Sequence, residues 1–501
     1  MLPFPSHRFS LRGQSDARPS RRRLPPERGL AVLSLLLALP LAGCGVPPPM
    51  GKAPVLRSPE TVAAHSLDGP AENAAGKSAW PDEAWWRDYG DAQLTSLIEE
   101  GLKGSPTLAE AEARVRQAEG YARSARAALL PTASATGTIG GVKQSYNNGY
   151  PREFVPHGWN DSASGALNVG YDFDFFGRNR ATLRAAVGER TAAEIEAHAA
   201  RLTLATSVAA AYADLGRYAA LRDVSAASLR VREETAKLVT QRVINGLDTR
   251  AEQRQAEAAV PVAKADLAAA EQSLMLTRNR LAALLGAGPD RGLAITPPAP
   301  GRFEMQPLPP RLALDLVGRR ADIAAARARA EAAAARVQAA RAAYFPNVNI
   351  MAYIGAQSLG IANLTAGGSD NGQAQAAITL PLFAGGRLAG DYRSARGGYD
   401  EAVALYDDTL VQAVREVADA AAGQKALDVE LRSAREAVVR SEEAWDLAKR
   451  RYTGGLSPYL SVLSAEDALI RNRQLLADLE GRVLGVRVEL VRALGGGFHA
   501  G

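Results

Sequence analysis

The side chains that most often carry chemistry are few and dispersed in this chain. Its five histidines, His7, His65, His157, His198 and His499, have no spacing that would gather them around a metal. There is no Gly-rich phosphate loop, no nucleophile elbow and no second cysteine to pair with Cys44. Asp172 and Asp174 come nearest to a carboxylate pair, and their i, i+2 spacing puts both on one face of a strand. These residues predict no enzyme, no metal and no cofactor.

Cys44 reads differently. Leu41-Ala42-Gly43-Cys44 follows an apolar run, Leu30 to Leu41, and a basic stretch with Arg21, Arg22, Arg23 and Arg28. The run is shorter than the roughly 20 residues of a spanning helix. A short apolar run with basic flanks and a small-residue exit is a secretory signal. The exit resembles a bacterial lipobox, which predicts cleavage before Cys44 and covalent diacylglycerol and N-acyl lipid on it. A lone thiol in an exported chain has no internal disulfide to make. One acyl chain binds a membrane only marginally, so several, or an inserted element, are needed as well. The leader also accounts for the charge. Residues 1–43 hold seven Arg and two acids, so totals of 59 basic and 54 acidic side chains leave 52 of each beyond them. A neutral mature chain gives no reason to expect nucleic acid.

The elements that must position any site are written twice. Ala125-Arg126-Ala127-Ala128-Leu129-Leu130-Pro131 matches Ala340-Arg341-Ala342-Ala343-Tyr344-Phe345-Pro346 at an offset of 215. Gly177-Arg178 and Gly386-Arg387, Gly246-Leu247 and Gly455-Leu456, and Leu285-Gly286 and Leu494-Gly495 keep an offset of 209. The chain therefore divides into a signal peptide (1–43), a lipidated tether (44–80), a first repeat (81–300), a second repeat (301–496) and a tail (497–501). Each repeat orders a helix, a Pro, two strand-like runs and a long helical hairpin.

Period-2 alternation marks half-buried strands. Leu167, Val169, Tyr171, Phe173 and Phe175 oppose Asn168, Gly170, Asp172 and Asp174. Val348, Ile350, Ala352 and Ile354 oppose Asn347, Asn349 and Tyr353, and Ala374, Ala376, Ile378, Leu380 and Leu382 oppose Gln373, Gln375 and Thr379. Thr132 to Val142 alternates weakly. Such strands suit a membrane barrel with a wet lumen, although alternation alone equally suits a soluble four-stranded sheet on a helical core. The helices tip the balance. Residues Thr182 to Ile244 and Thr249 to Leu285, then Tyr392 to Thr453 and Ser457 to Leu494, read as two hairpins, with Pro261 as an expected kink. An arm of that length reaches roughly 90 Å, beyond what a compact domain encloses. Four strands cannot close a barrel, and an open edge is not tolerated in lipid. Subunits must therefore associate, giving eight, twelve or sixteen strands from two, three or four chains. In such a barrel Asp172 and Asp174 would both face the lumen and tune permeation.

With these elements in this order, the chain resembles the TolC-like outer-membrane efflux family, in its NodT-type RND efflux lipoprotein branch, over nearly all of residues 80–496. The resemblance rests on Trp85-Trp86-Arg87-Asp88-Tyr89-Gly90-Asp91 with Leu94 and Leu97. It rests also on Phe175-Phe176-Gly177-Arg178 and Pro381-Leu382-Phe383-Ala384-Gly385-Gly386-Arg387 at the exits from each second strand. Arg451-Tyr452, Gly455-Leu456-Ser457, Tyr459-Leu460 and Val462-Leu463 match at the second hairpin tip. It implies a mainly α fold with transmembrane β. A homotrimer would share one twelve-stranded outer-membrane barrel, its α-helical hairpins continuing as a periplasmic tunnel of roughly 100 Å. It also implies a periplasmic adaptor on the hairpin tips and an inner-membrane RND-type pump, with drugs, metals or metabolites as cargo. A channel for ATP-driven type I protein secretion and a non-channel structural lipoprotein of the periplasm are the alternatives.

The resemblance further implies that the channel shuts where the hairpins converge. Tyr452 matches a gate tyrosine of the family and Glu252 falls where the first tip carries an aspartate, which predicts a Tyr452–Glu252 hydrogen bond. Ser461 and Ser464 stand where the family has two inner aspartates, so a ring at that level lacks fixed charge. Glu466 and Asp467, within a turn, are the other source of charge there. At the tips, Gly246 and Gly455 permit left-handed turns, and Leu247 and Leu456 are expected as adaptor contacts rather than hairpin staples.

Overall fold

A computed structural model of the chain describes residues 47–58, 61–62, 80–299 and 318–499. Cys44 and the leader lie outside them. Helices α1 (Ala92–Gly104) and α2 (Pro106–Ala127) lead into strands β1 (Thr132–Val142) and β2 (Asn160–Phe173) and the hairpin α3 (Arg178–Ile244) and α4 (Arg250–Leu284). The second repeat follows as α5 (Ala321–Ala342), β3 (Asn347–Leu359), β4 (Asp370–Thr379), α6 (Arg387–Thr453) and α7 (Tyr459–Ala493). Both ends of α5 lie 215 residues beyond those of α2, and both ends of α6 and α7 lie 209 beyond those of α3 and α4. The long arms have 67 residues each, about 100 Å at 1.5 Å per residue. Pro261 sits inside α4, which continues through it.

The long arms begin four or five residues before the expected Thr182 and Tyr392, because glycines there reverse the chain at once. Gly177 (φ 76°) and Gly386 (φ 85°) are the N-caps of α3 and α6 in the left-handed region. This corrects the reading of Asp174 as a lumen residue. It has left the strand, and its carboxylate accepts the backbone N–H groups of Asn179 (3.0 Å) and Arg180 (2.8 Å) at the start of α3. Asp172 stays in β2, opposite Asn349.

The sheet has the order β1-β2-β3-β4, every pair antiparallel. Its register places Leu167 beside Ile354, and Val348 beside Ile378, on one face. Ile354 and Ile378 are more than two-thirds exposed in the single chain, so an apolar sheet face is left for something outside the chain to cover. Among the described residues no helix is long and apolar enough to cross a membrane.

The main core lies far along α3 from the sheet. Trp85, Trp86, Leu94, Leu97 and Ile98 pack on Val208, Tyr212 and Leu215 of α3 and Leu281 of α4. Asp91 caps α1 by accepting the Leu94 N–H (3.0 Å) and takes the Tyr212 hydroxyl (3.3 Å), which locks the opening segment onto the long arm. Elsewhere the helices meet through small residues: a Cβ on Gly188 of α3 would lie 2.9 Å from that of Ala332 in α5. Residues 47–58, within the segment read as a tether, run along α6. Arg396 donates to the Lys52 carbonyl (2.9 Å), Tyr399 to the Pro54 carbonyl (3.1 Å), and the Arg57 N–H to Asp407 (3.0 Å).

Candidate functional site at the hairpin tips

Both tips are closed by the same backbone device. At the first, Gly246 (φ 72°) donates to the Val243 carbonyl (3.0 Å) and Leu247 to that of Arg242 (2.9 Å). At the second, Gly455 (φ 71°) donates to Tyr452 (3.0 Å) and Leu456 to Arg451 (2.8 Å). These are Schellman turns, which satisfy the last carbonyls of each long arm and need glycine at the left-handed position. Leu247 and Leu456 then point outward, 62% and 73% exposed, so neither staples its hairpin.

The tips differ in side chains. Asp248 follows Leu247 and folds back against the arm it has just left, where the Arg242 guanidinium holds it (Nε–Oδ2 3.0 Å). The buried Tyr452 of the second hairpin donates its hydroxyl to the same carboxylate, and the Arg242 guanidinium lies 4.5 Å from the Tyr452 ring centre. Burial first, then the hydrogen bond to Asp248 and the charge of that carboxylate, push the Tyr452 pKa well above that of an ordinary phenol, so it stays a donor. Arg242, Asp248 and Tyr452 thus form one clamp joining the two hairpins of a chain. Val239, Ala256, Tyr459 and Val462 surround Tyr452.

The expected Tyr452–Glu252 bond is therefore not made. Glu252 is committed to its own helix: it accepts the Thr249 N–H (2.8 Å), while the Thr249 side chain accepts the Glu252 N–H in return, a capping box that starts α4. The aspartate that serves the tip is Asp248, four residues earlier. The signal for it was present: a Schellman turn followed by an acid, with Arg on the last helical turn. A reversal of that kind brings residue i+6 back beside residue i.

Ser461 and Ser464 are both exposed on α7 of the single chain. Glu466 and Asp467 do not supply charge beside them. Glu466 is 1% exposed, in a 2.8 Å ion contact with Arg232 of α3, and the Thr235 hydroxyl lies 3.0 Å from its other oxygen. Asp467 pairs with the same guanidinium. Burial is the main cause that raises the Glu466 pKa, opposed by Arg232 and Thr235. Tyr459, beside it, is pushed up to about 12, again mainly by burial and next by the Glu466 charge. This cluster is a second seam between the hairpins, displaced along the arms from the first.

The geometry gathers, among the described residues, no group of three or more His, Cys, Asp or Glu that could hold a metal. It offers long hollow-forming arms, an amphipathic sheet and an end that can be clamped. The family model of the outer membrane efflux protein matches residues 97–287 and 312–496, one stretch within each repeat. This chain belongs to the outer membrane efflux protein family. It is 31% identical to outer membrane protein OprJ of Pseudomonas aeruginosa over 480 residues, covering 94% of this chain and 96% of that one. The fusaric acid resistance protein FusA of Burkholderia cepacia is 32% identical over 384 residues (74% of this chain, 69% of FusA). Among solved structures, VceC of Vibrio cholerae superposes with a TM-score of 0.78 at 43% identity, covering 84% of this chain and all of that one. The Campylobacter jejuni CmeC outer membrane channel shares the fold (TM-score 0.81, 20% identity, 91% and 96% covered). The chain is thus an efflux channel of the outer membrane, reaching into the periplasm, and not an enzyme. The apolar sheet face is the one suited to lipid, and the long arms correspond to the helical tunnel of such channels.

Proposed function

We propose that three copies of this chain close one twelve-stranded barrel, and that the tunnel conducts small molecules outward when an adaptor docks on the tips. An inner-membrane RND-type pump supplies the energy. Drugs are the favoured cargo, because relatives are named for multidrug and fusaric acid resistance; the same names weigh against type I protein secretion. Lipid on Cys44 adds a second hold on the membrane. In the resting state the Arg242–Asp248–Tyr452 clamp keeps the hairpins together, while Ser461 and Ser464 leave that level without fixed charge.

The observation that carries this reading is the pair of exposed leucines at the ends of two 67-residue arms. Burying Leu247 and Leu456 needs a partner that reaches the far end of the tunnel, and an apolar contact repeated at both tips fits a ring-shaped adaptor. Leu247→Asp combined with Leu456→Asp should abolish efflux in a drug-susceptibility assay and leave the oligomer intact on native gels. Normal efflux in that variant would overturn the docking site.

A further inference from the structure

The register of the sheet sorts its side chains into two sets. Ala163 stands beside Ile139 and Leu167 beside Ile354 in the lipid-facing set; Asn168 beside Tyr353 and Tyr353 beside Gln373 belong to the other, which faces the pore. The pore set is almost wholly uncharged hydroxyls, amides and small residues. The four strands contain no Lys or Arg, and their acids are Asp161, Asp172 and Asp370. Asp161 and Asp370 fall in the lipid-side register at the far rim, where Asp161 accepts the Ile361 N–H (2.7 Å). That leaves Asp172 as the single charge of the pore set.

Its position makes that charge count. Asp172 is exposed, one residue before the end of β2, where the barrel meets the tunnel. Among the described residues nothing hydrogen-bonds or ion-pairs with its carboxylate, whereas that of Asp174 is taken up by the start of α3 and by Arg180 (3.2 Å). A carboxylate in a neutral pore between low-dielectric walls focuses its field along the axis. We propose that Asp172 is the charge filter at the tunnel-side end of the barrel, favouring cationic over anionic solutes. The inference rests on the three-chain pore proposed above, in which three Asp172 carboxylates stand at one level.

The test reads the local potential from outside the cell, so the state of the tips does not enter. Asn349→Cys places a thiol directly across from Asp172. In the full chain in outer membranes, small cationic and anionic methanethiosulfonate reagents are added externally, with rates normalised to a free thiol and the unsubstituted chain as background. The cationic reagent should react about tenfold faster, which corresponds to a local potential of about one kT per unit charge, since the two reagents differ by two charges. Adding Asp172→Asn should bring the ratio near one, and Asp172→Lys should invert it. Equal rates with Asp172 present would overturn the filter. A thiol that neither reagent reaches, at Asn349→Cys and at Gln375→Cys on the same face, would instead sink the pore-face assignment and the barrel with it.

Discussion

The first and second repeats share a backbone almost residue for residue, yet the chemistry sits where they differ. Asp248 of the first tip corresponds to Ser457 of the second, whose hydroxyl is buried without a partner. Glu252 of the capping box corresponds to Ser461, behind the helix-starting Pro458. Arg232 corresponds to Ser441, and Asp172 to Pro381. The positions kept in both copies do geometry instead. A Cβ on Gly286 would lie 2.4 Å from the Gly104 carbonyl oxygen, and one on Gly495 would lie 2.0 Å from that of Arg319, the same close approach made twice. Duplication supplied a wall; divergence of single side chains supplied the clamp, the seam and the pore charge.

That contrast can be broken most severely at the shared glycines. Gly286→Ala and Gly495→Ala each force a left-handed alanine into a neighbouring backbone (φ 72° and 89°), which should cost about 2–5 kcal/mol in either copy. Thermal unfolding of the purified oligomer checks this; a large loss in one copy only would mean that the repeats are not structurally equivalent. Next comes Asp248→Asn. It leaves the half-buried Arg242 without its charged partner, a loss of about 1–2 kcal/mol at the tip, and single-channel recordings should show longer openings. The converse change, Ser457→Asp, offers Arg451 the partner that Arg242 has, and should shorten openings. If Asp248→Asn leaves gating unchanged, the clamp is only structural.

A smaller effect is expected at the uncharged ring. Ser464→Asp should raise cation selectivity a few-fold, read as a shift in reversal potential under a salt gradient; an unchanged potential would show that Ser464 does not line the pore. The smallest effect is that of pH on the second seam. Because the Glu466 pKa is raised in the packed state, the proton binds better there than to a solvated glutamate. The contribution is therefore fully present below the ordinary carboxylate pKa of about 4.3, and is lost as pH rises through the raised value. Hydrogen exchange around residues 230–238 should slow as pH falls from neutral, after correction for intrinsic rates, and Glu466→Gln should flatten that dependence. Faster corrected exchange on acidification would mean that the Arg232 ion pair outweighs burial.

Most of the fold was legible because every landmark occurs twice: Gly-Arg before each long arm, Gly-Leu at each tip, Leu-Gly after each return. The strand faces were legible from alternation, since period 2 fixes which side chains share a face once a single pair is known. What escaped depended on local reversals that periodicity does not encode. Alternation runs on to Asp174, yet the chain turns at Gly177 and that carboxylate goes to a helix start. Glu252 lies near the tip, yet as the third residue of a helix behind Thr249 it is held by the capping box. Glu466 looked available because sequence shows its turn neighbours, not Arg232 on the other hairpin. The run of residues 47–58 along α6 is held largely through backbone carbonyls, which any sequence supplies.

The two outer strands of the sheet have a consequence for how the channel comes to exist. Along β1 and β4, roughly every second residue turns its N–H and C=O away from the chain, and in hydrocarbon each unmet group costs several kcal/mol. A lone subunit thus faces a bill of tens of kcal/mol at the bilayer, one that vanishes only when its neighbours arrive on both sides. Insertion is then an all-or-none event of the assembly, and stability in the membrane depends on subunit concentration. The helical arms, which satisfy their own backbones, can fold beforehand in water. A subunit with a faulty edge would hold its partners at the membrane surface, so damage confined to one strand would behave as a dominant defect.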